Sequence, residues 1–180
     1  MLEGKNVNLR IAEKEDLPLL AEWGNNSEFN GEYLPFRQSS IAEREKAGEQ
    51  PNPFEFKTFI VEKKDKSKIG LVAHYYMLHP IAKLSEIGFG LVPSERGKGY
   101  CSEAVKIMVD YLFLSKDAVR IQAHTDVRNV ASQKVLEKTG FKREGILRKY
   151  TFVRGEWSDF YVYSILREEW KEPKILTKTF

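Results

Sequence analysis

Glu86-Ile87-Gly88-Phe89-Gly90-Leu91-Val92-Pro93-Ser94-Glu95-Arg96-Gly97-Lys98-Gly99-Tyr100-Cys101-Ser102-Glu103-Ala104 contains a strand, a loop and the start of a helix. Residues alternate as far as Val92, with Glu86, Gly88 and Gly90 on one face, which predicts a strand. Pro93 ends it, and Ala104, Met108, Tyr111 and Leu112 then recur at the spacing of one helix face reaching about Ser115. Between the two, Gly97 and Gly99 let the backbone curl so that several N–H groups converge. The helix that follows adds the positive end of its dipole, a combination suited to a phosphate or pyrophosphate. The candidate contacts are Arg96, Gly97, Lys98, Gly99 and Tyr100. Two familiar nucleotide loops are excluded, because no G-x-x-x-x-G-K-[ST] occurs and Gly88-Phe89-Gly90 is followed by Pro93 where a third Rossmann glycine belongs. Taken alone, the loop reads equally well as a glycine-rich turn with solvated charges.

Reading outward, Val7–Ile11 alternates as a short strand, and Leu17, Leu20 and Trp23 lie at helical spacing within 16–24. Residues 25–54 form an irregular lid or insert, with one polar helical stretch near 40–49. Three strand-like runs (56–62, 68–78, 84–92) predict an antiparallel meander. Beyond the glycine loop come a strand at 119–125 and a helix at 129–139, with Asn129 as N-cap and Gly140 as the left-handed residue after it. A hairpin from 144–152 and 157–166 closes the pattern, and 169–180 reads as a polar tail. This order predicts one α/β domain, residues 1–168, with a mixed, mostly antiparallel twisted sheet and flanking helices.

The chain has 180 residues, 42% hydrophobic and 31% charged, with 29 basic against 26 acidic side chains and a net charge of +3. That balance gives no broad footprint for nucleic acid or a membrane surface. One cysteine allows neither an internal disulfide nor a thiolate zinc site, and no apolar stretch approaches the ~18 residues of a bilayer span. A cytoplasmic protein without a metal is the expectation. His74, His79 and His124 lack metal-ligand spacing, His74 and His124 reading as strand residues. Cys101 reads as a small buried residue beneath the loop.

The glycine loop resembles the acetyl-CoA motif Q/R-x-x-G-x-G/A of the GCN5-related N-acetyltransferase superfamily, with Gly97 and Gly99 at its two small positions and Ser94 at its first. About thirty residues on, Asn129-Val130-Ala131-Ser132 followed by Val135 to Gly140-Phe141 resembles the N-x-x-S…GF signature of its ribosomal-protein N-acetyltransferase branch. The resemblance spans roughly 6–167. It implies a sheet whose strands splay where acetyl-CoA, the cosubstrate, binds. Pantetheine would lie along Leu91 and Val92, the pyrophosphate on the 96–100 amides, and Asn129 against the pantetheine arm. Lys134 and Lys138, one turn apart, are candidates for the 3′-phosphate, or simply a solvated helix face.

Amine acetylation needs a proton acceptor, because a lysine-type amine with a reference pKa near ~10.4 is almost wholly protonated at neutral pH. Glu86 is the first candidate base, or else a paired structural carboxylate. Ser132 is a candidate donor to the departing thiolate, or an ordinary first-turn residue. Glu28, Tyr33, Phe36 and Trp157 are expected to line the acceptor site. The preferred acceptor is a protein N-terminal α-amine. The alternatives are a small amine (antibiotic, polyamine or amino acid) or, in another class, a noncatalytic acyl-CoA-binding module. A homodimer is left open.

Overall fold

The computed structural model describes residues 1–35, 38–49, 55–79 and 82–176. The chain opens with β1 (Leu2–Glu3) and β2 (Val7–Ile11), then passes through a short 3₁₀ turn into α1 (Leu17–Asn25), α2 (Ser27–Asn30) and α3 (Ile41–Glu49). The segment expected to be irregular thus holds two helical pieces, α2 being too short for periodicity to reveal. Asn26 starts it by accepting the N–H groups of Glu28 and Phe29. The meander follows as β3 (Lys57–Lys63), β4 (Lys68–His79) and β5 (Ala82–Leu91). Then come α4 (Tyr100–Ser115), β6 (Arg120–Asp126), α5 (Val130–Lys138), β7 (Lys142–Val153), β8 (Glu156–Leu166) and α6 (Arg167–Trp170).

Eight strands form one sheet in the order β1-β2-β3-β4-β5-β6-β8-β7. Every neighbouring pair is antiparallel except β5 and β6, which α4 connects as a parallel crossover. Val105, Ile107, Met108 and Leu112 of α4 are sealed against Val72, Ile87, Ile121 and Tyr163 of the sheet. Each such aliphatic side chain contributes about 1.5–3 kcal/mol by leaving water. This core occupies one face. The opposite face carries Tyr75, Glu86, Gly88, Gly90, Gln122 and His124, as the β4–β5 and β5–β6 registers require.

At the start of the sheet, Asp16 accepts both terminal nitrogens of Arg10, at 2.8 and 2.9 Å, and Lys68 Nζ at 2.7 Å. This pins the 3₁₀ turn to β2 and β4. The β7–β8 hairpin turns through Arg154 (φ 49°) and Gly155 (φ 93°), both left-handed, as a tight two-residue turn demands.

The polar-tail expectation for 169–180 is corrected for its first part. Trp170 and Leu176 are buried, and Asp110, inside α4, accepts Trp170 Nε1 (2.8 Å) and the amides of Lys174 (2.9 Å), Ile175 (2.7 Å) and Leu176 (3.0 Å). Three lysines obscured two apolar anchors and a carboxylate waiting sixty residues upstream.

Candidate active site

The parallel ladder between β5 and β6 contains only two pairs, Ser85 with Ile121 and Glu86 with Gln122. Beyond them the strands part. Val92 N–H donates to Ile69 carbonyl oxygen, and pairs in an antiparallel ladder alternate, so residues 92, 90 and 88 bond toward β4. The N–H groups of Phe89 and Leu91 therefore point into the gap, where no strand meets them. A Cβ built on Gly88 finds no heavy atom within 4 Å, so this face holds an open lane. The Leu91 N–H borders that lane, whereas the Val92 N–H is already bonded.

The loop at the end of β5 supplies the second half of the site. Gly97 (φ 76°) and Gly99 (φ 86°) are left-handed, which only glycine adopts freely. Among the described residues, the N–H groups of Gly97, Lys98, Gly99, Tyr100, Cys101 and Ser102 have no protein acceptor; the first helical bond in this run is Glu103 N–H to Gly99. Six open donors at the head of a 16-residue helix make a cradle suited to an anion such as a phosphate or pyrophosphate. Arg96 is also a strap. Its amide donates to Pro93, and its guanidinium donates through Nε to Leu91 carbonyl oxygen (3.0 Å) and through Nη2 to those of Glu28 (2.9 Å) and Phe29 (2.8 Å). These bonds tie the cradle to α2, and among the described residues Nη1 has no protein partner.

Asn129 caps α5 by accepting Ser132 N–H through Oδ1 at 3.1 Å, and among the described residues its Nδ2 has no partner. Ser132 is half-buried in that first turn. Lys134 and Lys138 are exposed, on the same side of α5. Gly140 takes φ 95°, the left-handed conformation expected there.

Glu86 sits where the strands part and is 5% exposed. Its Oε1 accepts Tyr75 Oη (2.7 Å) and lies 2.8 Å from His124 Nδ1, while Oε2 accepts Gln122 Nε2 (3.1 Å). Burial alone would push this carboxyl up; hydrogen bonds from His124, Tyr75 and Gln122 outweigh it and hold the carboxyl below its ordinary value. Tyr150 stacks on His124 with ring centres 5.1 Å apart. His124 is the member that sequence reasoning passed over, because a lone strand histidine carries no signal until the β5–β6 register is known. The only available clue was its alternation with Gln122. Cys101, expected to be buried, is partly buried, and burial pushes its thiol up to about 12.

The residues expected to line the acceptor site lie on α2, the loop after it and the β7–β8 hairpin. Phe29 stacks on Trp23, Tyr33 lies under Arg128 with 5.6 Å to the ring centre, and Arg154 Nη2 reaches Gly31 carbonyl oxygen at 3.0 Å. Glu28 is exposed on α2, and Trp157, 60% exposed, packs edge-on against Phe152 at the hairpin tip. Phe36 lies outside the described residues. An open cleft of about 800 Å³ runs along β7, lined by Ile146, Leu147, Arg148, Lys149, Tyr150 and Asp159.

A split sheet, a glycine cradle and a buried acid–imidazole pair define an acyl-CoA-dependent transferase. Residues 6–142 match the family model described as the acetyltransferase (GNAT) domain. The chain belongs to this family and is an acetyl-CoA-dependent N-acetyltransferase. It is 32% identical to the probable N-acetyltransferase YjcK of Bacillus subtilis (strain 168), over 94% of this chain and 98% of that one. It is 29% identical to the ribosomal-protein-serine acetyltransferase of Escherichia coli (strain K12), over 60% of this chain and 59% of that one. Among solved structures, the spermidine N-acetyltransferase of Vibrio cholerae in complex with CoA and spermine shares the fold, with a TM-score of 0.81 at 24% identity over 93% of this chain and 99% of that one. The open cradle and the lane above Gly88 fit acetyl-CoA, which supplies the acetyl group and a thiolate leaving group. Among the described residues no group of side chains is arranged to hold a metal, and no helix is long and apolar enough to cross a membrane.

Proposed function

We propose that this N-acetyltransferase acts on the α-amine of a peptide or protein N-terminus. The observation that carries the reading is the cleft along β7. It is large, and it runs beside the sheet's edge strand, whose outer backbone groups are free to pair with an extended chain. It also meets the reacting groups, since Tyr150 in its wall is the ring stacked on His124. Its charge is wrong for a polycation: Arg148 and Lys149 face one carboxylate, Asp159, which already accepts the Lys149 N–H at 2.7 Å. Backbone pairing along β7 and cationic side chains suit a peptide carrying acidic residues near its N-terminus. Similarity to a ribosomal-protein-serine acetyltransferase supports the same choice.

The chain's own residues divide the work as follows. The Gly97–Ser102 amides hold the pyrophosphate, and Lys134 and Lys138 attract the 3′-phosphate. Leu91 N–H, open to the lane, stabilises the developing oxyanion. Asn129 Nδ2 positions the pantetheine arm, and Ser132 faces the thiolate. The cluster around Glu86 accepts the proton of the incoming ammonium. Glu28, Tyr33 and Trp157 border the acceptor.

A polyamine is the second reading, favoured by the exposed carboxylates Glu28 and Glu32 and by 26% identity to the spermidine N(1)-acetyltransferase of Vibrio cholerae. A competition assay decides between them. Acetyl-CoA is supplied with an equimolar mixture of acidic N-terminal peptides, spermidine and an aminoglycoside, and products are identified by mass. Acetylated peptide is expected to dominate; exclusive modification of the small amines overturns the peptide reading.

A further inference from the structure

The Glu86 carboxylate is poorly placed to take a proton from substrate. Both of its oxygens already accept protein donors, from Tyr75, His124 and Gln122, and the group is almost entirely enclosed. A carboxylate that saturated gains little by accepting another proton and must break a bond to do so. The imidazole it faces has the opposite character. With Nδ1 donating its hydrogen to Glu86 Oε1 at 2.8 Å, the ring is held in the tautomer that leaves Nε2 with a free lone pair. Among the described residues, Nε2 has no protein partner. It is also not sealed off, unlike the two ring nitrogens of His74, which are buried and unpartnered.

Position follows from register. His124 lies two residues beyond Gln122, the last β6 residue paired with β5, and on the same face as Glu86 and Gly88. It therefore stands at the mouth of the gap, beside the lane, with Tyr150 of the acceptor cleft packed on its ring.

We propose that His124 is the catalytic base, accepting the ammonium proton at Nε2, and that Glu86 is a positioning residue that fixes the imidazole's tautomer and orientation. The proton inventory closes. Nε2 takes one proton from the ammonium, which frees the nitrogen lone pair to bond to the acetyl carbonyl carbon. The carbon–sulfur bond breaks, its electron pair leaving with sulfur. The amide nitrogen's surplus proton passes to the thiolate, and the imidazolium returns its own to water. Each turnover converts ammonium and thioester into amide, thiol and one released proton. The groups facing the ring are Glu86 on β5, Tyr75 behind it on β4, Tyr150 on β7, neutral Gln122 on β6 itself and, on β8, the apolar Val162 opposite it in register. This inference rests on the N-acetyltransferase activity and is independent of which amine is the acceptor.

The test uses whichever amine supports thiol release and follows kcat/KM against pH for wild type, His124→Gln, His124→Ala and Glu86→Gln. His124→Gln keeps a donor for the Glu86 carboxylate but has no basic nitrogen. It is expected to lose about 10²-fold in kcat/KM, with CoA affinity by calorimetry within twofold and the acidic limb of the profile abolished. Added imidazole is expected to restore part of the activity of His124→Ala. Glu86→Gln is expected to be slower while keeping an acidic limb. The proposal is overturned if His124→Gln stays within threefold of wild type with its acidic limb intact, or if the limb is lost in Glu86→Gln alone, which would return the base role to the carboxylate.

Discussion

Gly88→Val separates the open lane from the stability of the sheet. Gly88 lies in the middle of β5, bonded to β4 on one side, and its side-chain direction is empty to 4 Å. A Cβ there meets no heavy atom within 4 Å, and valine brings the preference of β-branched residues for strands. Glycine within a strand or helix costs roughly 0.5–1 kcal/mol relative to alanine, and strand propensities span ~1 kcal/mol in all. The variant is therefore expected to melt at or above the wild-type temperature, by about 2–4 °C for each kcal/mol gained in a domain of this size. Function is expected to move the other way. Overfilling a packed site typically costs ~1–3 kcal/mol, which at 1.4 kcal/mol per decade is about a 5- to 150-fold loss of CoA affinity and of kcat/KM. Gly70→Ala serves as the contrast, since a Cβ there collides with the Gly90 carbonyl; it is expected to lose stability. Melting curves, calorimetry with CoA and thiol-release kinetics on all three proteins give the readout. A folded Gly88→Val enzyme with wild-type CoA affinity and kcat/KM would refute the lane, and a drop of more than ~3 °C would show that the space is not empty.

Two further outcomes concern the rest of the fold. Burial pushes the His74 imidazole down to about 4, with the cations of Lys57 and Lys116 adding to the effect. Its folded value lies below the unfolded one near ~6.5, so the unfolded chain binds more protons in between, and stability is full above that pH and falls as pH drops through 4. The loss is on the order of 3 kcal/mol, and urea titrations from pH 7 to 4 are expected to show it in wild type and not in His74→Phe; parallel curves would disprove the assignment. Asp110→Asn turns an amide N–H₂ toward either the Trp170 indole or the 174–176 amides, all of which need an acceptor. At roughly 1–3 kcal/mol for a buried donor left unpaired, a fall of about 3–10 °C is expected, and an unchanged melting temperature would exclude the anchoring role.

The sheet, the glycine cradle and the α5 caps were legible because each rests on local rules. Alternation marks β5, two left-handed positions require Gly97 and Gly99, and Asn129 and Gly140 bracket a helix. What escaped depends on residues far apart in the chain. Glu86 and His124 meet only because β5 and β6 pair in one particular parallel register, which no pattern within either strand encodes. Arg96 reads as an anion ligand from its place in the loop, and nothing local announces that its Nη2 also holds the carbonyls of Phe29 and Glu28, 67 and 68 residues earlier. The C-terminal segment failed for the same reason, since Asp110 reads as one more polar residue on α4 until the chain returns to it.

The seam between β5 and β6 has a consequence for the lifetime of the protein. Two half-sheets joined by two residue pairs and the helices behind them form an incomplete ladder, and an acyl donor lying in the gap, as proposed, would supply contacts that the chain itself lacks. Binding is therefore linked to folding: at a hundredfold excess over Kd the bound form gains about 2.7 kcal/mol against unfolding. Amide hydrogens along Phe89 and Leu91 are then expected to exchange more slowly, and proteases to find fewer openings at the seam. On this reasoning the persistence of the enzyme would follow the supply of the thioester it consumes.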